Sequence, residues 1–361
     1  MRKLVTVQII NNITEIPGKD NIVLATVLGW HVIVKKSEFK IGDPCVFFEI
    51  DSFLPIEDRY EFLAKSKKNY LGKDGYRIKT MKMAGVISQG LALPLPMFPE
   101  FDEYTPTDFD LSDKLNVVKY DRAEIEARTG KVHTGKTAGN FPAFIPKTDQ
   151  TRIQSLPLYF SMYKHDFWEE SLKLDGSSMT VYKIPAKLKW YHKLVNKILP
   201  MFHEYHFGVC SRNLELKRPE RYSESAFWQT AVKQKLESHL PVGYALQGEL
   251  IGPNIQSNHE KVHDFEYHIF DVYNIDQQRY LSPYERLDFL TKNNLVQYSI
   301  KVTEPLCQIF DICPTIEDLV ARVDSESINP GTISEGRVYK LYNNPSISFK
   351  CINNQYLLKE K

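Results

Sequence analysis

Three things are scarce in this chain of 361 residues: paired cysteines, long apolar runs and an excess of either charge. Its five cysteines are scattered, form no C-x-x-C pair, and leave one without a mate. That pattern favours reduced thiols inside a cell and argues against zinc. No apolar run approaches the ~18 residues a membrane-crossing helix needs. The first residues also lack a signal-peptide core, so a soluble, non-secreted protein is expected. Lys and Arg number 46 against 45 Asp and Glu, for a formal net charge of +1. Bulk charge therefore gives no pull on a polyanion, and any nucleic-acid surface must be a local patch.

Length is what the chain does have. It exceeds the usual single-core range and can bury two independent cores. In the first third, Ile22 to Val34 and Cys45 to Ile50 read as short strands, with Gly42-Asp43-Pro44 as a turn. Arg77-Ile78-Lys79 and Gly90 to Leu93 look like further strands. Strands at this spacing suggest a small β-barrel of the OB kind, whose groove commonly holds nucleic acid. The expected division is an OB-like module over 1–100, a connector over 101–140 and a larger module over 141–361.

The connector carries a decoy. Gly130-Lys-Val-His-Thr-Gly135-Lys136-Thr137 fits the phosphate-binding pattern G-x-x-x-x-G-K-[ST]. A working loop of that kind follows a buried strand and opens a helix. Here a polar stretch precedes it, and Pro142 and Pro146 follow, so a glycine-rich linker is the better reading. Lys187 to Leu199 interleaves basic and apolar residues at helical spacing; a surface helix with solvated lysines is favoured over an RNA-facing insertion. His203 and His206 have no cysteine or second histidine pair beside them and read as exposed histidines rather than metal ligands.

Lys173-Leu174-Asp175-Gly176-Ser177-Ser178 is more informative. A lysine on an apolar segment, followed at once by a glycine turn, is held rigidly at a pocket edge. Only about one amine in a few thousand is neutral at pH 7 on a lysine of ordinary pKa, so a nucleophilic lysine needs desolvation or nearby cations. Downstream, four segments have the right chemistry in the right order. Gln247-Gly248-Glu249 ends an apolar run, and Tyr267 to Tyr273 is a strand rich in aromatics. Glu335-Gly336 is a second glutamate–glycine edge, and Ser348 to Ile352 is a strand carrying Lys350.

Together with Ser211-Arg212-Asn213, these segments resemble the nucleotidyl-transferase motifs of polynucleotide ligases and RNA capping enzymes. An OB-like module placed before the nucleophile is unusual among them. That order resembles the RNA ligase family typified by the Naegleria enzyme, and the resemblance spans nearly the whole chain. It implies an α+β protein: an amino-terminal OB-like β-barrel followed by an adenylyltransferase domain of sheets flanked by helices. It also implies an ATP-dependent ligase joining 3′-hydroxyl to 5′-phosphate RNA ends, at nicks in duplex RNA, through lysyl-AMP. Lys173 would be the nucleophile, and Lys350 would hold the α-phosphate and depress the Lys173 pKa by repulsion. Asp175, Glu249 and Glu335 would serve Mg2+ or Mn2+, with Glu249 also facing the nucleotide. Phe270 would stack on adenine, Arg212 would hold ribose or the strand end, and Arg152 would stand at the pocket mouth.

Three positions depart from the family pattern. Ser178 stands where DNA ligases usually carry arginine, which points away from DNA. Leu172 replaces a common glutamate, leaving adenine to main-chain contacts. Ile352 stands where phage-type relatives have a second lysine, for which Lys340 or Lys359 would have to substitute. The alternatives are a DNA ligase, a GTP-dependent capping-type transferase, or an inactive RNA-binding relative.

Overall fold

The computed structural model describes residues 2–102, 104–121, 125, 135–186 and 204–359. The hydrophobic alternation of the amino-terminal strands builds a five-stranded antiparallel sheet. Its order is Leu91–Pro94, Pro44–Phe48, Val5–Glu15, Ile22–Val27 and Trp30–Lys35. The two edges approach each other where the Gln89 N–H donates to the His31 carbonyl at 2.8 Å. Val23, Ala25, Val27, Trp30, Val32 and Val34 alternate into the barrel interior, as period-two strands require. In the longest strand a register shift between Ile10 and Asn12 keeps Ile13 on the same face as Ile10. That strand serves two cores by alternation, with Ile10 facing the barrel and Val5 and Val7 the opposite side. There Phe48, Leu54, Tyr60 and Phe98 form a second core.

The segment read as a connector is divided between neighbours. Leu111, Leu115 and Val117 are buried in that second core, and Val118–Lys119 pairs with Ser52–Pro55. Thr137–Asn140 instead joins the carboxy-terminal sheet against Leu214–Leu216. The phosphate-loop pattern thus runs into a strand, although Gly130 to Thr134 lie outside the described residues, as do the basic run Lys187 to Leu199 and His203. Of the expected strand Arg77-Ile78-Lys79, only Arg77 is in one, at the end of Lys73–Arg77.

Two sheets make up the carboxy-terminal module. A seven-stranded sheet includes Ser177–Pro185, Tyr205–Cys210, Tyr244–Ile251 and Glu266–Asn274; a five-stranded sheet includes Thr151–Arg152, Trp168–Lys173, Gly336–Leu341 and Asn344–Ile352. Each buries its outer face under helices. Met179, Val181, Leu246 and Leu250 pack with Phe227, Trp228 and Leu290; Trp168, Tyr339 and Phe349 pack with Phe310 and Leu319. Helices Pro283–Lys292 and Ile316–Arg322 both open with reciprocal caps, Ser282 with Glu285 and Thr315 with Asp318. The other residues of each strand are left to line the space between the sheets.

Contacts across the two modules are both apolar and polar. Ile352 and Leu357 insert into the barrel core. Trp30 Nε1 donates to Ser155 Oγ at 3.1 Å, and the Gly29 N–H donates to the Gln154 carbonyl at 2.8 Å. Gly29 is required by that approach: a Cβ would lie 3.0 Å from Gln154 O and collide with Ile316. Among the described residues no helix is long and apolar enough to cross a membrane.

Candidate active site

Strand periodicity delivers the site. With Met179 and Val181 in the helix-covered core, Ser178 and Thr180 must face the other way. By the same rule Gln247 and Glu249 oppose Leu246 and Leu250, and Lys350 opposes Phe349 and Cys351. Lys173 is the last residue of Trp168–Lys173, and the turn at Gly176 carries the chain into the other sheet. A Cβ on Gly176 would sit 2.5 Å from Leu250 O, so only glycine allows that crossing. Arg152 pairs with Lys350 in parallel register, which brings two cations side by side.

All eight residues singled out in the sequence around Lys173 line one cavity of about 260 Å3: Arg152, Lys173, Asp175, Arg212, Glu249, Phe270, Glu335 and Lys350. Its apolar part is made by Leu172, Leu174, Ile300 and the Phe270 ring. Lys173 Nζ donates to Glu335 Oε1 at 2.6 Å. Burial works to lower the Lys173 pKa, but Glu335, Glu249 and Asp175 outweigh it and hold the ammonium above its ordinary value. This corrects the expectation that Lys350 depresses Lys173. The depressed lysine is Lys350 itself, brought down to about 7 by burial, against the pull of Asp149 and with Arg152 and Lys173 repelling.

The carboxylates show the complementary effect. Burial and the neighbouring Glu335 and Asp175 push Glu249 up to about 8, although Lys173 opposes the shift. Burial also raises Glu335, whose Oε2 is buried without a hydrogen-bond partner among the described residues. An orphaned oxygen and an over-charged carboxylate group suit a divalent cation. Among the described residues, however, no three such side chains are grouped closely enough to hold an ion by themselves. The fit is to a cation that keeps waters and shares its coordination with a nucleotide phosphate, as Mg2+ does.

Further charged groups at the site were not singled out in the sequence. Asp149 accepts from Lys350 Nζ at 3.0 Å and lies 3.3 Å from Arg212 and 3.4 Å from Lys119. Those cations hold its carboxyl well below the usual range despite burial. Asp51, from the amino-terminal module, pairs with Arg152 at 3.2 Å, Arg77 at 3.4 Å and Arg2 at 3.6 Å. Arg212 also pairs with Asp121 at 3.0 Å. Of the two proposed replacements for a second phosphate lysine, Lys340 is committed elsewhere. Its Nζ bonds Asp271 at 2.7 Å and the Phe270 carbonyl at 2.8 Å, beneath the Phe270 ring. Lys359 is exposed at the end of helix Asn354–Lys359 and does not line the cavity. His206 bonds Glu215 and Tyr182 at the surface.

Fold and cavity define an OB-fold module followed by a nucleotidyltransferase module of the RNA ligase type. An OB-fold domain model matches residues 4–95, and the RNA ligase model matches residues 166–352, more than half of the chain. The chain belongs to the RNA ligase family. It is similar to Naegleria gruberi RNA ligase in several solved forms. A mutant of that enzyme with ATP and manganese is 35% identical, with 99% of each chain covered and a TM-score of 0.86. A lysine-to-methionine mutant with AMP and manganese is 34% identical over 99% of each chain, with a TM-score of 0.85. An apo mutant is 34% identical over 99% of this chain and 98% of the other, with a TM-score of 0.86. No curated protein sequence matches significantly.

Proposed function

We propose that this protein is an ATP-dependent RNA ligase that seals 3′-hydroxyl to 5′-phosphate ends, at nicks in duplex RNA, through lysyl-AMP on Lys173. The observation that carries the reading is the meeting in one cavity of a half-buried lysine, three carboxylates, two adjacent cations and an aromatic ring. The Naegleria relatives with ATP or AMP and manganese support the choice of nucleotide and of a divalent ion.

In the first step the Lys173 amine attacks the α-phosphorus of ATP, and the bond to pyrophosphate breaks. The amine must first lose a proton, and Glu335 Oε1, 2.6 Å away, is placed to accept it. Lys350 and Arg152 stand side by side to meet the charge that builds on the phosphate oxygens. Phe270, Leu172, Leu174 and Ile300 give the base an apolar slot. Asp175, Glu249 and Glu335 would hold the divalent ion directly or through waters. When bound, it supplies countercharge to those carboxylates and to the α-phosphate. In the second step AMP passes from Lys173 to the RNA 5′-phosphate; in the third the 3′-hydroxyl displaces it.

The division at residues 100 and 140 belongs to the same reading, with 111–119 serving the amino-terminal core. Five free, buried cysteines suit a reducing, intracellular setting. The test is sealing of a 5′-phosphorylated nick placed in RNA or in DNA, with ATP or GTP. Sealing of RNA with ATP is expected; equal use of DNA, or a requirement for GTP, would point to the alternatives.

A further inference from the structure

Helix Pro283–Lys292 buries Pro283, Arg286 and Leu290 along one face. That spacing is the stripe a helix normally fills with apolar side chains, and an arginine in its middle needs a reason. The Arg286 guanidinium is shared between two other elements. Its Nη2 donates to Glu169 Oε2 at 2.6 Å and its Nη1 to the Phe270 carbonyl at 3.2 Å. Arg286 and Glu169 are both buried, and neither lines the nucleotide cavity.

What Arg286 reaches is a β-bulge. Strand Glu266–Asn274 pairs with Tyr244–Ile251 so that Asp271 faces Gln247 while Ile269 faces Gly248, which leaves Phe270 as the extra residue. In an unbroken strand Asp271 would share a face with Ile269. With the bulge, Ile269 and Val272 both enter the helix-covered core, and Phe270 and Asp271 both turn toward the space between the sheets. The Phe270 ring thereby reaches the cavity wall beside Leu172 and Ile300. A carbonyl at a bulge is displaced from the ladder and needs other donors. Lys340, on the opposite sheet, supplies the second one at 2.8 Å. Glu169 lies on Trp168–Lys173, the strand that ends in the nucleophile.

A buried ion pair by itself says little, because apolar residues of similar size fill such a place without loss of stability. Two cations converging on one main-chain oxygen do more, since they fix the peptide from which the ring projects. We propose that Arg286 is a positioning residue for the nucleotide: anchored by Glu169, it clamps the bulged Phe270 peptide and so sets the ring against the base. The inference rests on the reading of Phe270 as the base-stacking side chain and extends it to residues outside the cavity. Arg286 serves the binding of ATP rather than the transfer step, because Lys173, Lys350 and Arg152 stand on other strands.

The experiment is single-turnover labelling with α-labelled ATP and magnesium, on the full-length protein, across ATP concentrations. Two variants are compared with wild type. Arg286→Lys keeps a cation beside Glu169 but lacks the planar fork that reaches two acceptors. Arg286→Met with Glu169→Leu removes the pair without leaving a charge uncompensated. Both should need roughly 5- to 20-fold more ATP for half-maximal rate, with the maximum rate within about threefold of wild type. Added to Phe270→Ala, Arg286→Lys should raise the ATP requirement no further, because the ring it aims is gone. An unchanged ATP requirement in both variants overturns the assignment. So does a lower maximum rate at an unchanged ATP requirement, the mark of a purely structural residue, and so does a rise that adds to that of Phe270→Ala. A wild type that takes no label sinks the ligase reading, and this inference with it.

Discussion

Lys173 Nζ and Glu335 Oε1 lie 2.6 Å apart, and the pair holds the candidate nucleophile as an ammonium in the ligand-free protein. Glu335 is the first of three carboxylates that raise the Lys173 pKa, ahead of Glu249 and Asp175. Activation is thus a matter of cancelling that field when nucleotide and cation arrive, not of a permanently depressed lysine.

The rate of lysine labelling should therefore climb with pH as the amine deprotonates. Glu335→Gln removes one negative neighbour, so the rising limb should move to lower pH even as the maximum rate falls on the order of 100-fold. Single-turnover labelling across pH 6 to 10 would show it. A limb at the same pH in both proteins would mean that Glu335 does not set the Lys173 charge.

Lys350, at about 7, is half neutral near neutrality without ligand. Triphosphate binding must raise its pKa, because an anion favours the charged form. At pH 8 the wild type should therefore take up more protons than Lys350→Arg, by up to ~0.9 per site, since arginine is charged throughout. Calorimetry with a non-hydrolysable ATP analogue, in two buffers of different ionisation enthalpy, measures the difference. Equal uptake in both proteins would place the depressed group elsewhere.

Glu249 carries a stability cost. Its folded-state pKa of about 8 lies above that of an unfolded glutamate, so the native state binds more protons between pH ~4.3 and 8 and loses stability as pH rises through that window. Glu249→Gln should leave Tm near the wild-type value at pH 4.5 and raise it by roughly 3–6 °C at pH 8. Manganese should stabilise the wild type more than the variant at pH 8. A Tm difference independent of pH would contradict the account.

Lys340 and Asp271 form a buried pair beneath Phe270. Lys340→Met leaves Asp271 uncompensated and should cost about 3 kcal/mol by urea denaturation. Lys340→Met with Asp271→Leu should recover a good part of that. If the double variant is as unstable as the sum of the two single ones, the pair does not act as a unit.

Much of the fold was legible because strands announce themselves by alternation. Ile22 to Val34 shows it, although the sequence reading passed over Val5–Glu15, whose two buried faces blur the period. The residues from Arg152 to Lys350 could be named because each sits in a short, ordered pattern: a lysine before a glycine turn, a glutamate beside glycine, a lysine on a final strand. The structure gathers them in one cavity. Asp149, Asp51, Lys119 and Arg2 carry no such pattern. Their partners lie on distant segments and on the other module, and only the folded chain brings them together. The charge state of Lys173 was equally hidden, since it depends on how close three carboxylates come. Ile352 is explained by packing: at the place of a second lysine it fills the barrel core.

The most direct test is covalent labelling. Wild type and Lys173→Ala, incubated with α-labelled ATP and magnesium and then denatured, should differ absolutely: label retained on the wild type, none on the variant, and none on either with GTP. Label that survives Lys173→Ala would move the nucleophile off Lys173 and contradict the account.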